Sequence, residues 1–257
     1  MVSKAQIQFI RSLDRKKERD ESACFIAEGD KIVKELLHLP VESPFRIRNL
    51  YGLEPWIKKQ ENEITNNPDE VQIVTEAELD RMSLMKTPNQ ALAIVYKPDC
   101  ISRDFNFNSD LLIGLDRIQD PGNLGTLVRL ADWFGLAGVV SSMDSADFFS
   151  PKVVQASMGS VFRVRLLQTS LDPFLLELPY GFPVYTTSLS GTSIYDASLS
   201  RNGIILMGNE SKGLTPRFQR LSVNDLLIPD FSTGVGKPES LNVSVAAAII
   251  CSEFRRR

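Results

Sequence analysis

A chain of 257 residues, 43% hydrophobic and 24% charged, holds enough apolar material for one large or two small globular cores. Its formal charge of −3 carries no global nucleic-acid signature, its one histidine (His38) argues against a histidine triad or zinc site, and Cys24, Cys100 and Cys251 are too few and scattered for a disulfide framework. With no apolar leader and no run of about 18 apolar residues, the expectation is a soluble, cytoplasmic protein that is not exported by a signal peptide.

Residues 4–19 read as a charged helix. Its Arg11, Arg15, Lys16, Lys17 and Arg19 form either a strip for phosphate or a solvated face, and the same holds for Arg255 to Arg257 at the other end. Strands are expected at 24–27, 45–50, 71–74 and 91–96, with helices at 30–39, 55–60 and 76–82 between them, which makes a small α/β domain over residues 1–98. His38 falls at a helix end, near the negative pole of the dipole. Residues 99–110 lack periodicity and are rich in turn formers, so the linker is placed there. From residue 111 to 257 the alternation resumes: strands at 111–115, 138–141, 162–167, 183–187, 204–207 and 226–228, and helices at 124–134, 152–157 and 240–255. Nearly continuous apolar strands between helices indicate a parallel sheet covered on both faces.

Ligands of open parallel sheets sit beyond the carboxyl ends of the strands, and three of those ends carry unusual loops. After Leu115 comes Asp120-Pro-Gly-Asn123, a turn in which Asn123 can cap the next helix, followed by Gly125 and by Arg129 on a helix with an apolar stripe. That helix mouth can hold a phosphate with Arg129 as its clamp, or Arg129 can be an ordinary solvated side chain. After Met207 comes Gly208-Asn209-Glu210, then Gly213, a carboxylate and an amide flanked by glycines at the end of a buried strand. After Ile228-Pro229 a segment leads to Ser240-Leu-Asn242-Val-Ser244, where Ser240 reads as a helix cap and Leu241, Val245, Ala248 and Ile249 as the apolar face. Gly234-Val-Gly236-Lys237 fails as a phosphate loop, because Phe231 stands at the first required glycine and Pro238 follows the lysine. No G-x-G-x-x-G occurs, so a Rossmann dinucleotide site has no support.

Together the three loops resemble the SpoU/TrmH branch of the SPOUT methyltransferases. N-x-G-x-x-x-R is present as Asn123 to Arg129, G-N-E-x-x-G-L as Gly208 to Leu214, and I-P followed by S-L-N-V-S-x-A as Ile228-Pro229 and Ser240 to Ala246. The resemblance covers residues 111–257. More loosely, residues 25–35 are similar to the start of a small substrate-binding domain that resembles RNA-binding ribosomal proteins. The resemblance implies an α/β fold, a C-terminal SPOUT domain with a parallel sheet and a deep trefoil knot, preceded by a small α/β RNA-binding domain. It implies S-adenosyl-L-methionine as cofactor, held largely by main-chain atoms at Leu206, Gly208, Ile228 and Leu241. It implies a homodimer with interfacial active sites, methylating a ribose 2′-hydroxyl of structured RNA, rRNA before tRNA. Arg129, Asn123, Glu210, Ser240 and Asn242 are the corresponding catalytic positions. Sulfonium chemistry needs no metal, and no metal cluster is seen in the sequence. The nine residues from Asp230 to Pro238 exceed what family members usually carry, as a longer lid or a substrate contact.

A guanidinium stays protonated under ordinary conditions, so Arg129 is expected to orient phosphate and stabilise negative charge rather than act as a base. Glu210 is the better proton acceptor, or it fixes Arg129 through a charge-assisted pair. The competing readings are a non-catalytic RNA-binding or assembly factor and a nucleotide enzyme of another fold.

Overall fold

The computed structural model describes residues 1–60, 68–87, 89–98, 104–221, 224–232 and 239–256. They divide into two compact units, Met1–Cys100 with Asp147–Phe162, and Ile101–Ala146 with Arg163–Arg257.

The first unit opens with two helices where one was expected, α1 (Lys4–Ser12) and α2 (Lys16–Ser22). Arg19 explains the break. Its guanidinium takes the Leu13 and Asp14 carbonyls, both at 2.7 Å, which a continuous helix would need for its own ladder. The same side chain, 2% exposed, pairs with Asp147 at 2.7 Å. The anticipated basic strip is therefore largely occupied. Arg15 pairs with Glu18, Lys17 with Glu21, and Arg11 donates to the Arg81 and Ser83 carbonyls. Strand β1 (Cys24–Glu28) leads to α3 (Asp30–Leu37), which His38 ends, as its place near the helix pole suggested. Then come β2 (Ile47–Gly52), α4 (Glu54–Gln60), β3 (Glu70–Ile73), α5 (Glu76–Met82) and β4 (Ala91–Tyr96). The sheet order is β1-β4-β2-β3, with β4 antiparallel to both neighbours and β2 parallel to β3.

Residues 147–162, inside the stretch expected to form the second domain, pack in this first unit. Phe149 and Phe162 lie against Phe25, with ring centroids 4.8 and 6.4 Å away. Gly159, at φ +90°, sits where a Cβ would run into the Glu35 carboxylate. Aromatic contacts between distant segments leave no periodic trace in a sequence, which is why pattern reading missed this excursion.

The second unit contains β5 (Leu111–Leu115), α6 (Pro121–Trp133), β6 (Gly138–Ser141), β7 (Arg165–Gln168), α8 (Leu171–Leu176), β8 (Val184–Ser193), β9 (Gly203–Met207), α9 (Pro216–Gln219), β10 (Asn224–Leu227) and α10 (Val243–Arg256); α7 is the helix Pro151–Ser157 of the excursion. Six strands in the order β10-β8-β9-β5-β6-β7 make an all-parallel sheet. Strands β5, β6 and β9 are buried along their whole length, the physical origin of their continuous apolar runs. Two short helices, α8 and α9, were not expected. Strand β7 starts later than anticipated because Phe162 closes a 3-10 turn over Ser160–Phe162. Arg255 donates to the Phe134 and Gly135 carbonyls and Arg256 pairs with Glu253, so neither is a free tail charge. Arg257 lies outside the described residues. Among the described residues no helix is long and apolar enough to cross a membrane.

Candidate active site

In the sheet, β5 and β9 are neighbours, while β8 separates β9 from β10. The loop after β5 runs into α6, and Asp120 caps that helix by accepting from the Asn123 N–H at 2.8 Å, with Pro121 in the first turn. Asn123 is therefore not the cap. Asp120 does that work three residues earlier, and the Asn123 amide is left to face other loops.

The loop after β9 closes on itself. Asn209 and Gly213 form an antiparallel bridge, and Asn209 Oδ1 accepts from the Ser211 and Lys212 N–H groups. A Cβ on Gly208 would lie 2.2 Å from the Leu214 nitrogen, so only glycine lets the loop fold back this tightly. Glu210 sits at the tip, half-buried, and its Oε1 accepts from Asn123 Nδ2 at 2.6 Å.

The third element completes a directional chain. A carboxylate only accepts, so Asn123 presents its NH2 to Glu210 and keeps its Oδ1 as acceptor. That oxygen takes a bond from Asn242 Nδ2 at 3.1 Å, and Asn242 Oδ1 in turn accepts from the Ser244 N–H at 2.9 Å. Ser244 Oγ donates to the Asn123 carbonyl at 3.3 Å. Asn242, not Ser240, caps α10, which begins at Val243. The two-residue shift rotates the helix: Val243, Ala247, Ile250, Cys251 and Phe254 are buried, whereas Leu241 and Val245, assigned to the apolar face, are 46% and 49% exposed. Burial pushes the Cys251 thiol up to about 12, which removes it as a nucleophile.

The other expected residues are placed less tightly. Arg129 is exposed on α6, and among the described residues no hydrogen bond or ion pair joins it to Glu210 or any other group. Ser240 is exposed, Gly208 and Ile228 are half-buried at their strand ends, and Leu206 is buried with its carbonyl accepting from Thr187 Oγ1 at 3.0 Å. Thr187 is the last residue of the strand expected at 183–187, and the strand does not stop there. Strand β8 continues to Ser193, and its register with β10 jumps from Asp225↔Thr186 to Leu226↔Thr192, so residues 187–191 bulge out of that pairing. The run of small hydroxyl residues there was the available signal. Asp116 and Arg117 carried no such signal and were also missed. Of the extended loop, Asp230 accepts from the Ser232 N–H and Phe231 is 80% exposed, while residues 233–238 lie outside the described residues. Among the described residues no group of His, Cys, Asp and Glu is arranged to hold a metal.

The family model described as the SpoU rRNA Methylase family matches residues 110–252, and that of the MRM3-like substrate binding domain matches residues 4–93. The chain is 30% identical to the 23S rRNA (guanosine(2553)-2′-O)-methyltransferase RlmP of Bacillus subtilis, over 95% of this chain and 94% of that protein. A solved structure of a TrmH-family protein from Porphyromonas gingivalis superposes with a TM-score of 0.86 at 37% identity, covering 100% of this chain and 99% of that one. An AdoMet-bound rRNA methyltransferase from Sinorhizobium meliloti gives a TM-score of 0.85 at 29% identity, over 100% of this chain and 97% of that chain.

Proposed function

The chain belongs to the SpoU rRNA methylase family, and we propose on that premise that it methylates a ribose 2′-hydroxyl of rRNA with S-adenosylmethionine as cofactor. The observation that supports this most is the Glu210–Asn123–Asn242 chain, because it draws one residue from each of the three strand-end motifs into a single polar cluster.

The residues present suit the cofactor in type. Half-exposed Leu241 and half-buried Ile228 offer apolar surface to a flat base, and main-chain groups at Gly208 and Ile228 offer polar contacts. When bound, the cofactor supplies an electrophilic methyl group on a sulfonium centre. The protein must then accept the proton of the attacking hydroxyl. Glu210 is the proton acceptor of this proposal: Asn123 orients one of its oxygens, and the other has no partner among the described residues. Arg129, exposed and unpaired among those residues, is free to take an RNA phosphate in the two-pronged manner of a guanidinium. Asn242 and Ser240 stand at the mouth of α10 as substrate-side groups.

The same proposal includes a cytoplasmic homodimer and a knotted C-terminal part. Trp133 on α6 and Val245 on α10, 83% and 49% exposed, are apolar side chains that a second copy would cover. The first unit serves as the RNA-binding part. The test is transfer of labelled methyl to 23S rRNA and to tRNA, with ribose methylation mapped on the product. Label confined to rRNA 2′-oxygens is expected; label on bases, or none on any RNA, would overturn the proposal.

A further inference from the structure

Two consecutive residues leaving β5 hold the loop that carries Glu210, although neither belongs to its motif. Asp116 is 3% exposed, and its Oδ2 accepts from both the Thr215 N–H at 2.7 Å and the Thr215 hydroxyl at 2.8 Å. Arg117 uses three separate groups. Its N–H donates to Ser142 Oγ at 2.9 Å, its carbonyl accepts from Asn209 Nδ2 at 3.0 Å, and its Nη2 donates to the Gly213 carbonyl at 3.2 Å. Its φ of +58° lies in the left-handed region that a residue with a Cβ rarely adopts. Such a conformation persists where surrounding bonds over-determine it, and here it aims the carbonyl at Asn209.

The loop is thus gripped at Asn209, Gly213 and Thr215, on both sides of Glu210. Strands β5 and β9 are already joined by their own parallel ladder, so the sheet does not need these bonds. Apart from the Ser142 bond, which ties Arg117 to the end of β6, they fix the loop between Gly208 and Thr215. A buried carboxylate is costly unless its bonds satisfy it, and this one is directed at a loop beyond the strand ends.

We infer that Asp116 and Arg117 are positioning residues for the methyl-transfer reaction, holding the Asn209–Thr215 loop so that Glu210 meets Asn123. The inference rests on the assignment of Glu210 as proton acceptor. Neither residue touches the reacting atoms in this account; both act through the loop, and the bond between Thr215 and Asp116 is the one that a near-isosteric substitution can remove.

The test compares Thr215→Val, which removes the hydroxyl, with Thr215→Ser, which keeps it, each in the wild-type and the Glu210→Gln background of the full chain. Thr215→Val is expected to lower kcat about tenfold with KM for rRNA changed less than about twofold, and Thr215→Ser to recover most of the loss. In the Glu210→Gln background Thr215→Val is expected to cost less than about twofold, because residues acting through one another are not additive. Equal fold losses in both backgrounds, or an unaltered kcat in Thr215→Val, would overturn the inference. Arg117→Gly, which keeps the backbone groups and relieves the strain, is expected to lose less activity than Asp116→Ala. The opposite order would show that the Arg117 guanidinium on Gly213 carries the grip, and would overturn Asp116's part in the inference. Should the wild-type chain transfer no methyl group to RNA, the functional reading fails by itself. Amide exchange then still decides the grip: faster exchange over residues 209–214 in Thr215→Val sustains it, and unchanged exchange overturns it.

Discussion

Asn123 and Asn242, separated by 119 positions in the chain, share one hydrogen bond of 3.1 Å, and that bond sets the orientation of both amides. Asn123 must give its NH2 to Glu210, so only its oxygen remains for Asn242. Asn242 must then turn its own oxygen back to cap α10. A helix cap and the orientation of a candidate base are therefore linked through a single amide, and this sharpens what substitutions should do.

Asn123→Ala is expected to lower kcat by about 10²-fold, the scale of losing one preorganised hydrogen-bond donor at a reacting centre. Stability should change little, because Asp120 rather than Asn123 caps α6. Steady-state kinetics beside a melting curve check both halves, and a large drop in Tm with kcat retained would contradict the placement.

Arg129→Lys keeps the charge and loses the fork. Since Arg129 is exposed and unpaired among the described residues, Tm should stay within about a degree, as for surface substitutions in general, while methyl transfer falls at least about tenfold. Near-normal turnover would rule out a bidentate role.

Arg19→Ala tests the buried pair in the first unit. It leaves Asp147 buried without its cation and frees two carbonyls, an expected loss of about 3–5 kcal/mol. Arg15→Ala removes only an exposed pair and should change stability by less than about 1 kcal/mol. Urea unfolding of the two variants separates the buried arginine from the exposed one; equal stabilities would refute the distinction.

Burial raises the Glu28 carboxyl above its ordinary value, against opposing bonds from Ser83 and Leu84. The folded state thus favours the protonated form. The resulting stability is fully present below the unfolded value near 4.5 and is lost as pH rises through the higher folded value. Relative to Glu28→Gln, the wild-type chain should lose Tm as pH climbs above about 4.5. Parallel Tm–pH curves for the two proteins would show that Glu28 does not titrate this way.

Val245→Glu, alone or with Trp133→Glu, places charge on the exposed apolar surface of α10 and α6. Sedimentation should show a monomer in which methyl transfer is lost while the fold persists by circular dichroism. An unchanged dimer would mean that this face is not the contact.

Much of the second unit was legible because its physics is local. A strand buried on both faces must be continuously apolar, and β5, β6 and β9 are. The strand-end motifs could be read for the same reason: glycines at 208 and 213 answer to backbone geometry within a few residues of themselves. The helix starts were less legible. Asp120 and Asn123, or Ser240 and Asn242, are all competent caps, and the choice depended on which amide another loop required.

Residue types and their spacing were thus enough to point to a parallel α/β sheet and to three unusual loops at its strand ends, since periodicity and turn chemistry act over short stretches of chain. Contacts across long separations were settled by packing alone. Arg19 chose Asp147, 128 positions away, and broke a helix to do so. Residues 147–162 pack with the first unit although the family model spans them with the second. Glu210 met Asn123 instead of Arg129, because a half-buried carboxylate takes whichever donor the fold brings within bonding distance.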